Sequence, residues 1–292
     1  MRPFLILILV LSFKVSFNKA KNLLNNNKPI ISLAEESNTA LKGFGYWLFG
    51  RDMESIKLKD LSKNGVTDIF LNFYAFTLYD RKKVISFISS AENENIRIHI
   101  WMQAFYRDSK WINPKNCDFT PIINEAKDYA SVPGVAGVHL DYLRYPEKAY
   151  LTNVGVDSIN KFIGLLVKAV HDINSKCIIS AAIMPETTTS KHDYGQDYDV
   201  ISKYMNVVVP MIYKGNYRAN RDWIKRTTKW YVQNSKGAAI WAGLQSYRSD
   251  NDITKLSLTE LEEDIKAAMS ENANGVMLFR WGLSNSPSFT HL

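Results

Sequence analysis

The chain is 292 residues long, 46% hydrophobic and 22% charged, with 36 Lys and Arg against 29 Asp and Glu. That composition excludes a disordered, collagenous or membrane-embedded chain. The length fits one α/β barrel of roughly 250 residues with a short N-terminal extension. The formal charge of +7 suggests a cationic surface. No basic run is longer than Arg81-Lys82-Lys83, and no nucleic-acid motif is present, so nucleic acid is not expected as a partner.

Residues 1–20 read as a secretory signal or N-terminal anchor. Arg2 supplies a positive start, residues 4–13 are almost wholly apolar, and Lys14 closes the run. A stable membrane span needs about 20 apolar residues, so none is expected beyond that anchor. The leader predicts a protein that is secreted or held at the cell surface. Residues 21–42, polar and marked by Asn25-Asn26-Asn27-Lys28, read as a linker.

From residue 43 to 292 a strand, loop, helix pattern repeats. Short β-rich apolar runs predict strands at 44–49, 68–73, 97–102, 137–142, 177–183, 207–213, 238–244 and 275–281. Helices are predicted between them at 53–63, 82–91, 121–130, 156–173, 197–204, 221–234 and 259–271. Thr120 before Pro121 reads as an N-cap, and Ser257 to Glu260 has capping-box spacing. Asn64-Gly65 and Asn274-Gly275 read as helix ends. Strict alternation implies a parallel sheet covered by helices. Eight units favour closure into a (β/α)8 TIM barrel. An open doubly wound sheet would show a Gly-rich phosphate loop after strand one, where this chain has Gly50-Arg51-Asp52.

Active sites of such barrels lie at the C-terminal strand ends. The residues expected there include Trp47, Asn72, His99, Trp101, Gln103, His139, Asp141, Arg144, Glu186, Tyr213, Gln245, Tyr247 and Trp281. Side chains alternate along a strand. His139 and Asp141 therefore share the face opposite Val138, Leu140 and Tyr142, and His99 and Trp101 share the face opposite Ile98 and Ile100. The polar sets point inward. A buried carboxylate is costly unless it is paired or functional, which makes Asp141 the catalytic candidate, as nucleophile or charge stabiliser. Glu186, at the end of the neighbouring strand, is the candidate general acid/base. Two such carboxyls can flank one glycosidic bond. Trp47, His99, Trp101, His139, Arg144, Tyr213 and Trp281 are candidate substrate-binding residues, the indoles as platforms for sugar faces. Cys117 above strand three and Cys177 below strand five are too far apart for a disulfide, so two free thiols are expected. No Cys/His spacing suggests zinc, and neither a metal nor a cofactor is expected.

The run Gly137-Val138-His139-Leu140-Asp141-Tyr142-Leu143-Arg144-Tyr145-Pro146 closely resembles the strand-four signature of the glycosyl-hydrolase-like barrels with a DY(I/L)RYP motif. Ile96-Arg97-Ile98-His99-Ile100-Trp101 resembles their strand three, and Gly45-Tyr46-Trp47 their strand one. The resemblance implies a TIM barrel and polysaccharide hydrolysis, with the motif's Asp at Asp141, its Arg at Arg144 and its strand-three His at His99. Met211-Ile212-Tyr213 and the strand ending at Trp281 are more distantly similar to the family 18 chitinase-like barrels. Leu143 stands where those barrels carry their catalytic Glu. The expected function is thus a secreted glycoside hydrolase acting as a monomer on a cell-wall or extracellular polysaccharide. The alternative is a non-catalytic carbohydrate-binding barrel.

Overall fold

The computed structural model describes residues 41–146, 149 and 156–292. The expected leader and nearly all of the expected linker lie outside these residues. The last two linker positions are already tied to the barrel: the Trp241 indole donates to the Leu41 carbonyl at 2.9 Å, and Arg97 donates to the Lys42 carbonyl at 2.5 Å.

Eight parallel strands close a barrel: β1 (Gly43–Leu48), β2 (Asp68–Asn72), β3 (Arg97–Gln103), β4 (Val135–Asp141), β5 (Ile178–Ile183), β6 (Val207–Ile212), β7 (Ala239–Gln245) and β8 (Gly275–Phe279). Each pairs with its sequence neighbour, and β8 pairs back onto β1 with Gly275 beside Gly43. The outer layer is α1 (Leu58–Lys63), α2 (Arg81–Asn93), α3 (Thr120–Ala130), α4 (Asp157–Ile173), α5 (Tyr198–Tyr204), α6 (Arg221–Asn234) and α7 (Leu258–Met269).

Periodicity explains the helices. In α4 the buried residues are Ile159, Phe162, Ile163, Leu166, Val167 and Val170, a single stripe at helical spacing. Burying each contributes about 1.5–3 kcal/mol. Ser257 caps α7 by accepting the Glu260 amide N–H. Three boundaries differ from expectation. The segment predicted as one helix over 53–63 is a turn over 53–55 and then the short α1, with a 3-10 turn at Gly50–Asp52 just before it. Thr120 is the first residue of α3 rather than its N-cap: Phe119 holds the cap position, and the Asp118 carboxylate accepts the Thr120 N–H at 2.9 Å. After α7 the left-handed residue is Asn272 rather than Gly275, which lies inside β8. Gly65 does end α1, at φ +78°.

No helix follows β8 among the described residues. Instead the Phe289 N–H donates to the Asn64 carbonyl at 2.7 Å, and its ring stacks on Phe44 at 5.7 Å. This segment covers the outer face of β1. Both cysteines are free.

The barrel interior is a separate apolar cluster that includes Trp47, Phe70, Trp101, Val207, Trp241 and Met277. Inward glycines make room for the large rings. A Cβ on Gly43 would stand 2.3 Å from the Trp241 ring, and one on Gly137 would stand 2.4 Å from His99 Nδ1.

Candidate active site

The C-terminal strand ends surround a cavity of about 750 Å³, within the range of small-molecule sites. Its floor carries Trp47, Trp101 and Asp141. Its walls include Phe49, Tyr142, Tyr213, Tyr217 and Phe279, and its rim includes Arg51, Tyr74, Arg144 and Asp250.

Asp141 ends β4 and is partly exposed to the cavity. Its Oδ2 accepts the Trp101 indole N–H at 3.0 Å, and its Oδ1 accepts the amide N–H of Tyr142 at 2.7 Å. That second bond is local. Tyr142 sits at φ +52°, a left-handed conformation that a residue with a side chain adopts only when its surroundings enforce it. Tyr106 and Trp111, from the hairpin after β3, pack against the Tyr142 ring at 4.8 and 5.6 Å. Burial pushes the Asp141 carboxyl above its usual range. The Tyr142 amide, the Trp101 indole and the Arg144 charge oppose this only in part.

Arg144 forms no ion pair with Asp141. It lies over the Trp111 ring at 4.7 Å and the Tyr194 ring at 5.3 Å, and it donates to the Tyr145 carbonyl. Tyr213 stacks on Phe279 at 5.5 Å, and its hydroxyl has no hydrogen bond among the described residues. Burial, then the negative charge of Asp141, keeps that hydroxyl protonated far above its ordinary range. It is a free donor in the cavity.

His139 lies beneath the floor, fully buried. The Trp47 indole donates to its Nε2 at 3.2 Å, and its Nδ1 meets Ser180 Oγ at 2.9 Å. An indole can only donate, so Nε2 is the bare nitrogen and Nδ1 carries the proton. Burial first, then nearby His99, pushes its pKa well below the ordinary value. His139 is thus a neutral post that fixes Trp47, rather than a residue open to substrate.

Three other expectations are corrected in position. His99 lies one layer deeper, fully buried, with Nε2 at 2.8 Å from Asp68 Oδ1. Glu186 is not brought to Asp141. It lines a neighbouring cavity, and its Oε1 accepts from Tyr217 at 2.7 Å and from Tyr194 at 3.4 Å. Trp281 turns away from the mouth and packs edge-on against the outward ring of Tyr46 at 5.4 Å. β8 ends at Phe279, and the backbone leaves the barrel direction there. Phe279 supplies the cavity ring instead, edge-on to Trp47 at 5.8 Å. Parity from Gly275 and Met277 pointed to Phe279 as well as to Trp281. Asp250, absent from the strand-end reading, stands in the turn of a hairpin after β7.

Among the described residues no group of three or more His, Cys, Asp or Glu could hold a metal ion. No described helix is long and apolar enough to cross a membrane.

No curated protein matches the chain. Solved structures share its fold at low identity. The PgaB (BpsB) glycoside hydrolase domain from Bordetella bronchiseptica is 10% identical with a TM-score of 0.65, over 83% of this chain and 95% of that one. A class V chitinase from Pseudomonas fluorescens Pf-5 is 13% identical with a TM-score of 0.63, over 84% and 97%. A xylanase-α-amylase inhibitor protein, in complex with trehalose, is 8% identical with a TM-score of 0.59, over 82% and 93%. At these identities the likeness shows a common barrel. The sequence itself matches one family model over residues 88–280, more than half the chain and inclusive of Asp141, Arg144, Tyr213 and Phe279. The chain belongs to the family described as "Putative glycosyl hydrolase domain".

Proposed function

We propose that the protein is an exported glycoside hydrolase that cleaves a cell-wall or extracellular polysaccharide, with Asp141 at the reacting centre. The observation that carries this reading is the state of Asp141. It is a carboxyl without an ion-pair partner, raised above its usual pKa by burial, at the floor of an aromatic-lined cavity. A carboxyl whose protonated form is favoured by burial suits the general acid of glycoside hydrolysis, which must protonate the leaving oxygen. This favours proton donor over nucleophile for Asp141. The half-exposed rings of Tyr74, Tyr217 and Trp111 offer flat apolar faces to sugar rings near the cavity. The apolar run after Arg2 supports export, and the family supports glycoside hydrolysis.

The position of Glu186 favours a second reading, a glycan-binding barrel without turnover, because the expected partner carboxylate is bonded elsewhere. One experiment separates the two. The purified chain and Asp141→Asn are incubated with a panel of cell-wall glycans, and products are read by mass spectrometry. Product from the wild type alone supports a hydrolase centred on Asp141. Glycan retention with no product from either supports the binding module, and equal turnover by both removes Asp141 from the chemistry.

A further inference from the structure

The cavity that holds Asp141 is lined by one other carboxylate, Asp250. Asp250 lies between the two short strands of the hairpin that follows β7, Tyr247–Ser249 and Asp252–Lys255. A side chain in such a turn is ordinarily free to move. Here it is clamped from two sides. The Tyr247 hydroxyl donates to Oδ1 at 2.8 Å, and Asn216 Nδ2 donates to Oδ2 at 2.8 Å. The Asp250 N–H in turn donates to Asn216 Oδ1 at 2.9 Å. Asn216 is itself fixed by Gln245, the last residue of β7. Gln245 Nε2 donates to Asn216 Oδ1 at 3.0 Å, and Gln245 Oε1 accepts the Asn216 N–H at 3.2 Å. The loop after β6 presses on the hairpin so closely that a Cβ on Gly215 would stand 1.5 Å from the Arg248 carbonyl oxygen.

The chemistry of this clamp is informative. Every group that touches the carboxylate donates, and none is a cation: no ion pair involves Asp250 among the described residues. Two neutral donors, one to each oxygen, fix the carboxylate's orientation without an opposite charge beside it. Each oxygen keeps a lone pair. The charges of Asp141 and Asp250 both act on the hydroxyls of Tyr142 and Tyr213, which places the two carboxyls around a common space. Asp141 lies at the cavity floor, where burial favours its protonated form, whereas Asp250 is exposed at the rim, where water reaches it. Two carboxyls held in unlike surroundings around one cavity are what can separate an acid from a base.

We propose that Asp250 is the second catalytic carboxylate, the general base opposite Asp141; this rests on the hydrolase reading above. Asp141 gives its proton to the glycosidic oxygen as the bond from that oxygen to the anomeric carbon breaks. A water molecule attacks the anomeric carbon, and its proton passes to Asp250. The products are an alcohol and a hemiacetal. Asp250 then loses its proton to solvent and Asp141 regains one, so the cycle closes without a cofactor. Attack by water rather than by a side chain inverts the anomeric centre.

The test uses the full chain and the glycan that the wild type cleaves from a panel of chitin, mannan, xylan, peptidoglycan and polygalacturonate. Asp250→Asn is expected to lower kcat by at least about 100-fold, with KM within a few-fold. Added formate, small enough to fill the vacated space, is expected to restore at least tenfold of the activity lost by Asp250→Ala. A residue that merely anchors the hairpin gives no such rescue. The fresh product, read by NMR before mutarotation, is expected to be inverted. Asp250→Asn within about fivefold of wild-type kcat, or no formate rescue of a folded Asp250→Ala, overturns the proposal. Retention overturns the base role in favour of a nucleophile. A wild type that cleaves nothing in the panel overturns the hydrolase reading and this proposal with it, whereas an active wild type with an active Asp250→Asn overturns this proposal alone.

Discussion

Two carboxylates point into this barrel from alternate strands, and the barrel treats them oppositely. Asp68, on β2 near the closed end, is fully buried and saturated with partners. Arg97 Nε and Nη2 donate to it at 2.9 and 2.8 Å, His99 Nε2 lies at 2.8 Å, and the Thr67 hydroxyl donates at 2.6 Å. Burial alone would push its carboxyl up; the bonds and charges of His99 and Arg97 outweigh it and hold the pKa below the usual value. Asp141, at the open end of β4, has an indole, one amide and no cation in contact, and burial wins. The same residue type on the same inward face is held ionised by its partners at one end and is pushed toward its protonated form by burial at the other. The difference lies in the cations that the neighbouring strand supplies: β3 offers Arg97 and His99 to Asp68, and only Trp101 to Asp141.

This contrast is broken most severely by substituting each carboxylate. Asp141→Asn is expected to cost turnover about 100- to 10,000-fold, the usual range for a positioned acid. Stability should hold or rise at pH 7. A carboxyl whose folded pKa is raised contributes stability below its unfolded pKa, near 3.9, and loses it as pH rises through the folded value. Removing Asp141 therefore removes a neutral-pH penalty, which urea unfolding at pH 4 and pH 7 measures directly. Asp68→Asn is expected to do the reverse. It leaves Arg97 without its counter-charge and costs about 3–5 kcal/mol of stability at pH 7, with turnover of the folded fraction little changed. The lowered pKa of Asp68 gives stability above about pH 3.9 that is lost as pH falls through the folded value, so the variant should show a flatter acid limb.

The fold and the inward placement of Asp141 at a strand end were legible in the sequence because both depend on period. The eight barrel strands and the helices between them follow from alternation, although the first helix is shorter than expected and the short helices Ala75–Leu78 and Ser190–Tyr194 were not foreseen; parity put His139 and Asp141 on the inward face. Depth was not legible. Parity states which face His99 and His139 occupy but not which layer, and both lie below the mouth, one bonded to Asp68 and the other under Trp47. Strand ends were equally hidden. Trp281 continues the parity of Met277 and Phe279, yet β8 stops at Phe279 and the next turn carries Trp281 outside. Asp250 left no periodic trace, since its position depends on Asn216 from the loop after β6, 34 residues away.

A milder break targets the post beneath the floor. His139→Leu removes the acceptor of the Trp47 indole and the partner of Ser180, and leaving buried polar groups unmet costs about 1–3 kcal/mol. The pH dependence identifies the cause. With its pKa depressed by burial, His139 contributes stability above about pH 6.5 that is lost as pH falls below it. Chemical unfolding between pH 5 and 8 should therefore slope more steeply in the wild type than in His139→Leu. Equal slopes would mean that His139 titrates normally and that the floor is wetter than its burial implies.

The smallest effect is expected where sequence parity was most misleading. Trp281 meets Tyr46 edge-on at an interplanar angle of 83°, on the face of β1 that looks away from the cavity. Trp281→Leu should cost about 1 kcal/mol, the scale of one aromatic pair, and leave KM for the cleaved glycan within error. Phe279→Leu makes the control. Its ring supports Tyr213 at 5.5 Å and meets Trp101 at 6.2 Å, so its loss should raise KM several-fold. Glycan affinity lost in Trp281→Leu at unchanged thermal stability would put the indole back at the mouth, because a ring packed only against Tyr46 can reach substrate solely through the fold it stabilises.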